Sequence, residues 1–245
     1  MYLYFAILVC FCYFCGMNIK KLVLLGVFLL PCFPAESLTV YGHRGARGLA
    51  PENTLPGFHE ALKHRVDVID LDIVMTKDGI LVAHHDLTLN ADITRDANGQ
   101  WIDATPEIAI KDLTLEQLQT YDVGKIQPKT QYAATYASQI SREHVHVPTL
   151  VDVIHEMKQS ADYPVGFQIE IKTDLTAPAL SASAEEIVLA LDQVIRAEGI
   201  SGRTKVQAYD WRCLLLLQQL NPKIETAYLT DVDHEKILRH PNAGI

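Results

Sequence analysis

His43 and Arg44 close a short apolar run, Leu38–Gly42. Asp70 and Asp72 stand two apart in Val-Ile-Asp-Leu-Asp-Ile-Val, so strand alternation sends both to one face. His85-Asp86 ends a third run, and Glu170 and Lys172, again two apart, end a fourth, Phe-Gln-Ile-Glu-Ile-Lys. A carboxylate inside an apolar run is costly to bury unless a cation accompanies it. Three such carboxylates brought to one mouth make an all-oxygen site for a hard divalent cation, Mg²⁺ or Ca²⁺. Two imidazoles beside it serve as acid and base near neutral pH. Arg44 and Lys172 neutralise a phosphate. The combination is that of metal-assisted phosphodiester cleavage. Taken singly, Asp70 or Asp72 reads equally well as an ion-pair partner, and His43 as a core histidine. His84 and His85 are adjacent and must face opposite ways, so one of them is structural.

The elements that position these groups alternate. Strands are expected at Leu38–Gly42, Val66–Met75, Ile80–His84, Val165–Ile171, Lys205–Ala208 and Ile224–Leu229. Helices are expected at Thr54–Lys63, Thr114–Tyr121, Leu150–Lys158, Ala184–Ala197 and Trp211–Leu220. Lys77-Asp78-Gly79 is a turn, after which the third strand pairs with the second or lies beside it. Residues 87–147 are polar and break the rhythm, and read as an insertion after the third strand. Alternation implies an α/β fold with a mostly parallel sheet. Gly42-His43-Arg44-Gly45 is not a dinucleotide fingerprint, and polar residues at several strand ends favour a (β/α)₈ barrel over a doubly wound sheet. Without its insertion the body falls short of the roughly 200 residues that eight βα units take, so about six of the eight strands are expected here.

The 245 residues are 49% hydrophobic with net charge −9, which excludes disorder and argues against a nucleic-acid surface. Four of the five cysteines lie in the first 36 residues, leaving Cys213 alone in the body, so a disulfide scaffold is excluded. Residues 1–37 read as a leader. Lys20-Lys21 followed by apolar Leu22–Phe33 is a signal-peptide pattern with Met17 as a second candidate start, and the body is then periplasmic or secreted. The other reading is an uncleaved anchor, the one route to a membrane. Oligomeric state is left open.

The series His43-Arg44-Gly45-Ala46-Arg47-Gly48, Pro51-Glu52-Asn53-Thr54, Asp70-Leu71-Asp72, Thr76-Lys77-Asp78-Gly79, His85-Asp86 and Glu170-Ile171-Lys172 strongly resembles the glycerophosphodiester phosphodiesterase family from Leu38 to about Leu229. The resemblance implies a (β/α)₈ TIM barrel, incomplete in this chain, with a small insertion after the third strand. It implies His43 and His85 as the acid–base pair, with Asp70, Asp72 and Glu170 as metal ligands. It places Arg44 on phosphate, with Glu52 and Lys172 beside it. The implied reaction is hydrolysis of small-molecule glycerophosphodiesters to glycerol 3-phosphate and an alcohol. The chain departs from the family in having Asp, not Glu, at position 70, and in lacking the seventh and eighth strands. Two other readings stand beside the enzyme: an inactive truncated relic or gene-model fragment, and a sphingolipid-directed phospholipase D-type barrel.

Overall fold

The computed structural model describes residues 38–230; the expected leader, residues 1–37, lies outside them. Among the described residues the strands are β1 (Tyr41–His43), β2 (Val68–Met75), β3 (Leu81–Ala83), β4 (Gly166–Ile171), β5 (Thr204–Ala208) and β6 (Glu225–Tyr228). The helices are α1 (Leu55–Lys63), α2 (Leu115–Leu118), α3 (Gln131–Thr135), α4 (Leu150–Ser160), α5 (Ala184–Ala197) and α6 (Trp211–Leu220). None of these helices is long and apolar enough to cross a membrane.

The six strands form one sheet, but they are not equivalent. The parallel path runs β1-β2-β4-β5-β6, and β3 stands off it, antiparallel to β2, with Ile73 opposite Ala83 and Met75 opposite Leu81. The expected strand count is therefore met with five strands in the parallel path and one hairpin arm. The arm folds back because the Thr76–Ile80 turn is built for it. Gly79 takes φ +79, its N–H donates to Thr76 O at 3.0 Å, and the Thr76 hydroxyl donates to Asp78 Oδ1 at 2.6 Å.

Helices cover one face of the sheet. Thr54 caps α1 by accepting from Gly57 N at 3.2 Å. Capping boxes at Thr149/Asp152 and Ser183/Glu186 start α4 and α5. Leu150, Val153, Ile154 and Met157 on α4, and Ile187, Val188, Leu191 and Ile195 on α5, fall on helical spacing and are buried against Ile69, Leu71, Ile73, Phe167, Ile169 and Ile171 of β2 and β4. Alternation then turns Asp70, Asp72, Gln168 and Glu170 to the other face.

Between β3 and α4 a second apolar cluster, including Leu89, Ile110, Leu118, Val123 and Val145, packs on Val74 and Val82 of the hairpin. Helix α2 is shorter than the expected Thr114–Tyr121. The turn that follows is claimed by Asp122, whose carboxylate accepts from Gly124 N, His144 N and Val145 N at 2.8–3.3 Å. The sequence reading had no counterpart for α3. Its five residues, Gln-Tyr-Ala-Ala-Thr, are too few to show an apolar period, and Thr130 caps it by accepting from Ala133 N.

Candidate active site

Strand register brings the polar groups together. His43 is level with Asp70, and Asp70 with Gln168; one layer further along, Asp72 is level with Glu170, and Glu170 with Gln207. His43, Asp72, Glu170 and Gln207 lie toward the C-terminal ends of parallel strands, and Asp70 and Gln168 one layer deeper along theirs. His84 and His85 part company there. His84 is buried, its Nδ1 2.8 Å from Asp86 O, whereas His85 is half-buried and interacts electrostatically with His43, Asp72 and Glu170.

The loop from β1 to α1 carries the cations. Arg44 and Asn53 both occupy the left-handed region, at φ 50. Arg44 Nη1 donates to Glu52 Oε1 at 3.0 Å, and its Nε lies 3.4 Å from Asp72 Oδ2 without hydrogen-bond alignment. Asn53 holds Asp72 from two sides: its Nδ2 donates to Oδ2 at 2.8 Å, and its Oδ1 accepts from Asp72 N at 3.2 Å. Lys172 Nζ lies 3.0 Å from Asp72 Oδ1 and also contacts Glu170 Oε1.

The titration of these groups follows from that crowding. Burial, then the charges of Asp72 and Glu170, push Asp70 up to about 6 against the opposing amide of Gln168. Burial also raises Glu170, with the Asp72 charge acting in the same direction against Lys172. Burial pushes on Asp72 too, but Lys172, His85, Arg44 and the Asn53 hydrogen bond outweigh it and leave its pKa lowered. His43 is exposed at the mouth; partial desolvation of its ring, then Arg47 and Arg44, lower its pKa from 6.5 against a smaller pull from Asp72. His85 Nδ1 is 2.6 Å from Asp86 Oδ1, and Asp86 Oδ2 accepts from Asn90 at 2.9 Å. Burial acts to raise Asp86, yet the His85 hydrogen bond and the two histidine charges overcome it, so Asp86 stays ionised and fixes the His85 ring.

The donor set suits a hard cation. Asp70, Asp72 and Glu170 supply oxygens only; burial and carboxylate repulsion leave Asp70 and Glu170 short of positive charge, while Asp72 already has Lys172 and Arg44 beside it. Among the described residues, however, no three His, Cys, Asp or Glu side chains converge closely enough to hold an ion. Asp72 and Glu170 meet through Lys172, while Asp70 lies in the layer below, where Gln168 and Gln207 both reach its Oδ1 at 3.4 Å. Glu52 is buried beside Arg44, 3.7 Å from Arg47 Nη1, and accepts from the Tyr132 hydroxyl. Asn53, Asp86 and Tyr132 were not singled out as site residues in the sequence. Asn53 lies within the Pro-Glu-Asn-Thr motif and Asp86 follows His85, so both had a local signal; Tyr132, eighty residues from its partner, had none.

Residues 43–240 match the model of the "Glycerophosphoryl diester phosphodiesterase family". A glycerophosphodiester phosphodiesterase of Bacillus subtilis is 30% identical over 203 residues, covering 81% of this chain and 61% of its own length. One from Bacillus altitudinis is 31% identical, over 80% and 68% of the two lengths. The chain thus spans about three fifths of the Bacillus subtilis relative. Among solved structures, a protein from Silicibacter pomeroyi DSS-3, assigned as a glycerophosphoryl diester phosphodiesterase, superposes with TM-score 0.75 at 30% identity over 82% of this chain and 68% of that one. An Oleispira antarctica phosphodiesterase, solved with the product sn-glycerol-3-phosphate, shares the fold at TM-score 0.58 and 22% identity, over 83% and 71%.

Proposed function

The chain belongs to the glycerophosphoryl diester phosphodiesterase family, and from that premise we propose that it hydrolyses glycerophosphodiesters to glycerol 3-phosphate and the free alcohol. The observation that carries the reading is the joining of His43, His85, Arg44, Asp72, Glu170 and Lys172 into one interacting group at the strand ends. His43, lowered below 6.5, is neutral at pH 7 and acts as the base. It takes the proton of the attacking hydroxyl as oxygen bonds to phosphorus. His85, its Nδ1 anchored by Asp86, gives a proton from Nε2 to the departing alkoxide as the phosphorus–oxygen bond to the head group breaks. Arg44 and Lys172 sit where they offset phosphate charge. By donor type Asp70, Asp72 and Glu170 are the candidates to hold a divalent cation, Mg²⁺ or Ca²⁺, although they would have to draw closer together than they stand to enclose it; when bound, the cation would add positive charge beside the phosphoryl oxygens.

The test is release of glycerol 3-phosphate from glycerophosphocholine by the purified chain, with and without chelator. Activity that survives chelation or His43→Ala would overturn the assignment. Reaction in isotope-labelled water, with a search for a cyclic phosphate, separates attack by water from attack by the glycerol 2-hydroxyl. We further propose export directed by residues 17–37, which N-terminal sequencing of the mature protein checks.

A further inference from the structure

We propose that Tyr132 is a positioning residue for Arg44, acting through the carboxylate of Glu52, so that the segment between β3 and α4 forms part of the phosphate-binding apparatus. The inference rests on the reading of Arg44 as a phosphate contact. Arg44 stands between two carboxylates, Glu52 on one side and Asp72 on the other, on a backbone held at φ 50. Its fork can swing toward either, and which way it points is decided by how firmly each carboxylate is fixed. Asn53 fixes Asp72. Glu52 has no such neighbour in its own loop. Its Oε1 takes Arg44 Nη1 at 3.0 Å, and its Oε2 is taken by the Tyr132 hydroxyl, with Arg47 Nη1 farther off at 3.7 Å. A phenol donating to a buried carboxylate is a charge-assisted bond, stronger than a neutral one. With Oε2 pinned, Oε1 must face Arg44.

Tyr132 is itself held in place. Its ring lies 4.8 Å from that of Tyr136, and the Arg47 guanidinium covers the Tyr136 ring at 4.7 Å. Gln139 Nε2 donates to Arg47 O at 2.7 Å, and Ile140 N donates to Leu49 O at 2.8 Å. The last three of these contacts join residues 132–140 to the β1–α1 loop and lock the two segments together at the site. A tyrosine serving only to pack α3 would have no use for a hydroxyl in a buried carboxylate.

Tyr132→Phe removes that hydroxyl and keeps the ring. Loss of one charged hydrogen bond is expected to raise KM for glycerophosphocholine about tenfold, with kcat within about twofold and the melting temperature little changed. In a Glu52→Gln background the same substitution should have no further effect, because the group through which it acts is already altered. A second readout needs no turnover: the Nε–H resonance of Arg44, ordered in the native chain, should become mobile in Tyr132→Phe. Unchanged KM, an equal loss in both backgrounds, or an Arg44 resonance that stays ordered would overturn the inference. A native chain that hydrolyses no glycerophosphodiester overturns the functional reading, while the Arg44 resonance still decides whether Tyr132 holds it.

Discussion

Asn53 puts a left-handed backbone and a bidentate grip on Asp72 in one residue. Asn53→Ala removes one hydrogen bond from the Asp72 carboxylate and one from the Asp72 backbone N–H, at a residue that is only 4% exposed. A cost of about 1–3 kcal/mol in unfolding free energy is expected, with a larger fall in kcat/KM, measured by urea titration and steady-state kinetics. The proton chemistry gives a second residue-scale expectation. His43 must be neutral to act as base, so activity is lost as pH falls through its pKa; because that pKa is lowered, the acid limb of kcat/KM has its midpoint below 6.5. Arg47 is the largest charge contributing to the lowering, so Arg47→Gln should move that midpoint upward. Asp70, Asp72, Glu170 and Lys172 were legible from the sequence because strand alternation decides which face they take, and His43 because it follows the first apolar run. That His85 rather than His84 serves the site is implied by the resemblance; in the structure His84 is buried with its Nδ1 against Asp86 O, and His85 is half-buried with its Nδ1 against Asp86 Oδ1. Asn53 and Asp86 carry a local signal in the motif and in the neighbour of His85, whereas Tyr132 depends on which segments touch, which no local period encodes.

At the scale of elements, the join between β1 and α1 is made without side chains. Gly45 takes φ +82, its N–H lies within 3.2 Å of both Gly42 O and Asp70 O, and a Cβ there would fall 2.7 Å from the backbone of Gly57. Gly45→Ala therefore combines backbone strain with a wedge between strand and helix. A loss of about 2–4 kcal/mol and displacement of His43 and Arg44 are expected, read from denaturation midpoints and from activity. The β3–α4 segment hangs instead on Asp122, which ties three backbone N–H groups and Arg95 Nη2 at 2.6 Å. Burial works against its charge, but these hydrogen bonds and Arg95 leave its pKa lowered. A carboxylate lowered on folding gives stability that is present above its unfolded pKa, ~3.9, and lost as pH falls through the folded value. Asp122→Asn should thus destabilise at pH 7 and flatten the acid limb of the stability profile. Helices α4, α5 and α6 were readable because each carries a cap and an apolar stripe; α2 stops at Leu118 and gives way to turns, with Thr120 N donating to Gln117 O and Tyr121 N to Leu118 O.

For the whole molecule, what decides stability is how many neighbours each strand has. β2 is flanked by β1, β4 and β3, and β4 by β2 and β5, with both strands buried; β6 pairs only with β5 among the described residues, and its side chains are exposed or half-exposed. The sequence showed six strands but not their order, because pairing is a property of the assembled sheet; the antiparallel seating of β3 leaves five strands in the parallel path. Exchange of backbone amides should map this gradient. Amides of β2 and β4 are expected to open only with global unfolding, whereas those of β6 exchange about a hundredfold faster or more through local opening. The acidic part of the site stands on the slow side of that gradient, since Asp70, Asp72 and Glu170 belong to β2 and β4, whereas His43 ends β1, which among the described residues pairs only with β2. Loosening β6, for instance by Thr226→Pro, should therefore leave the amides around Asp72 and Glu170 protected. Loss of protection in β2 and β4 together with β6 would show instead that the sheet opens as one unit and that the site depends on its outermost strand.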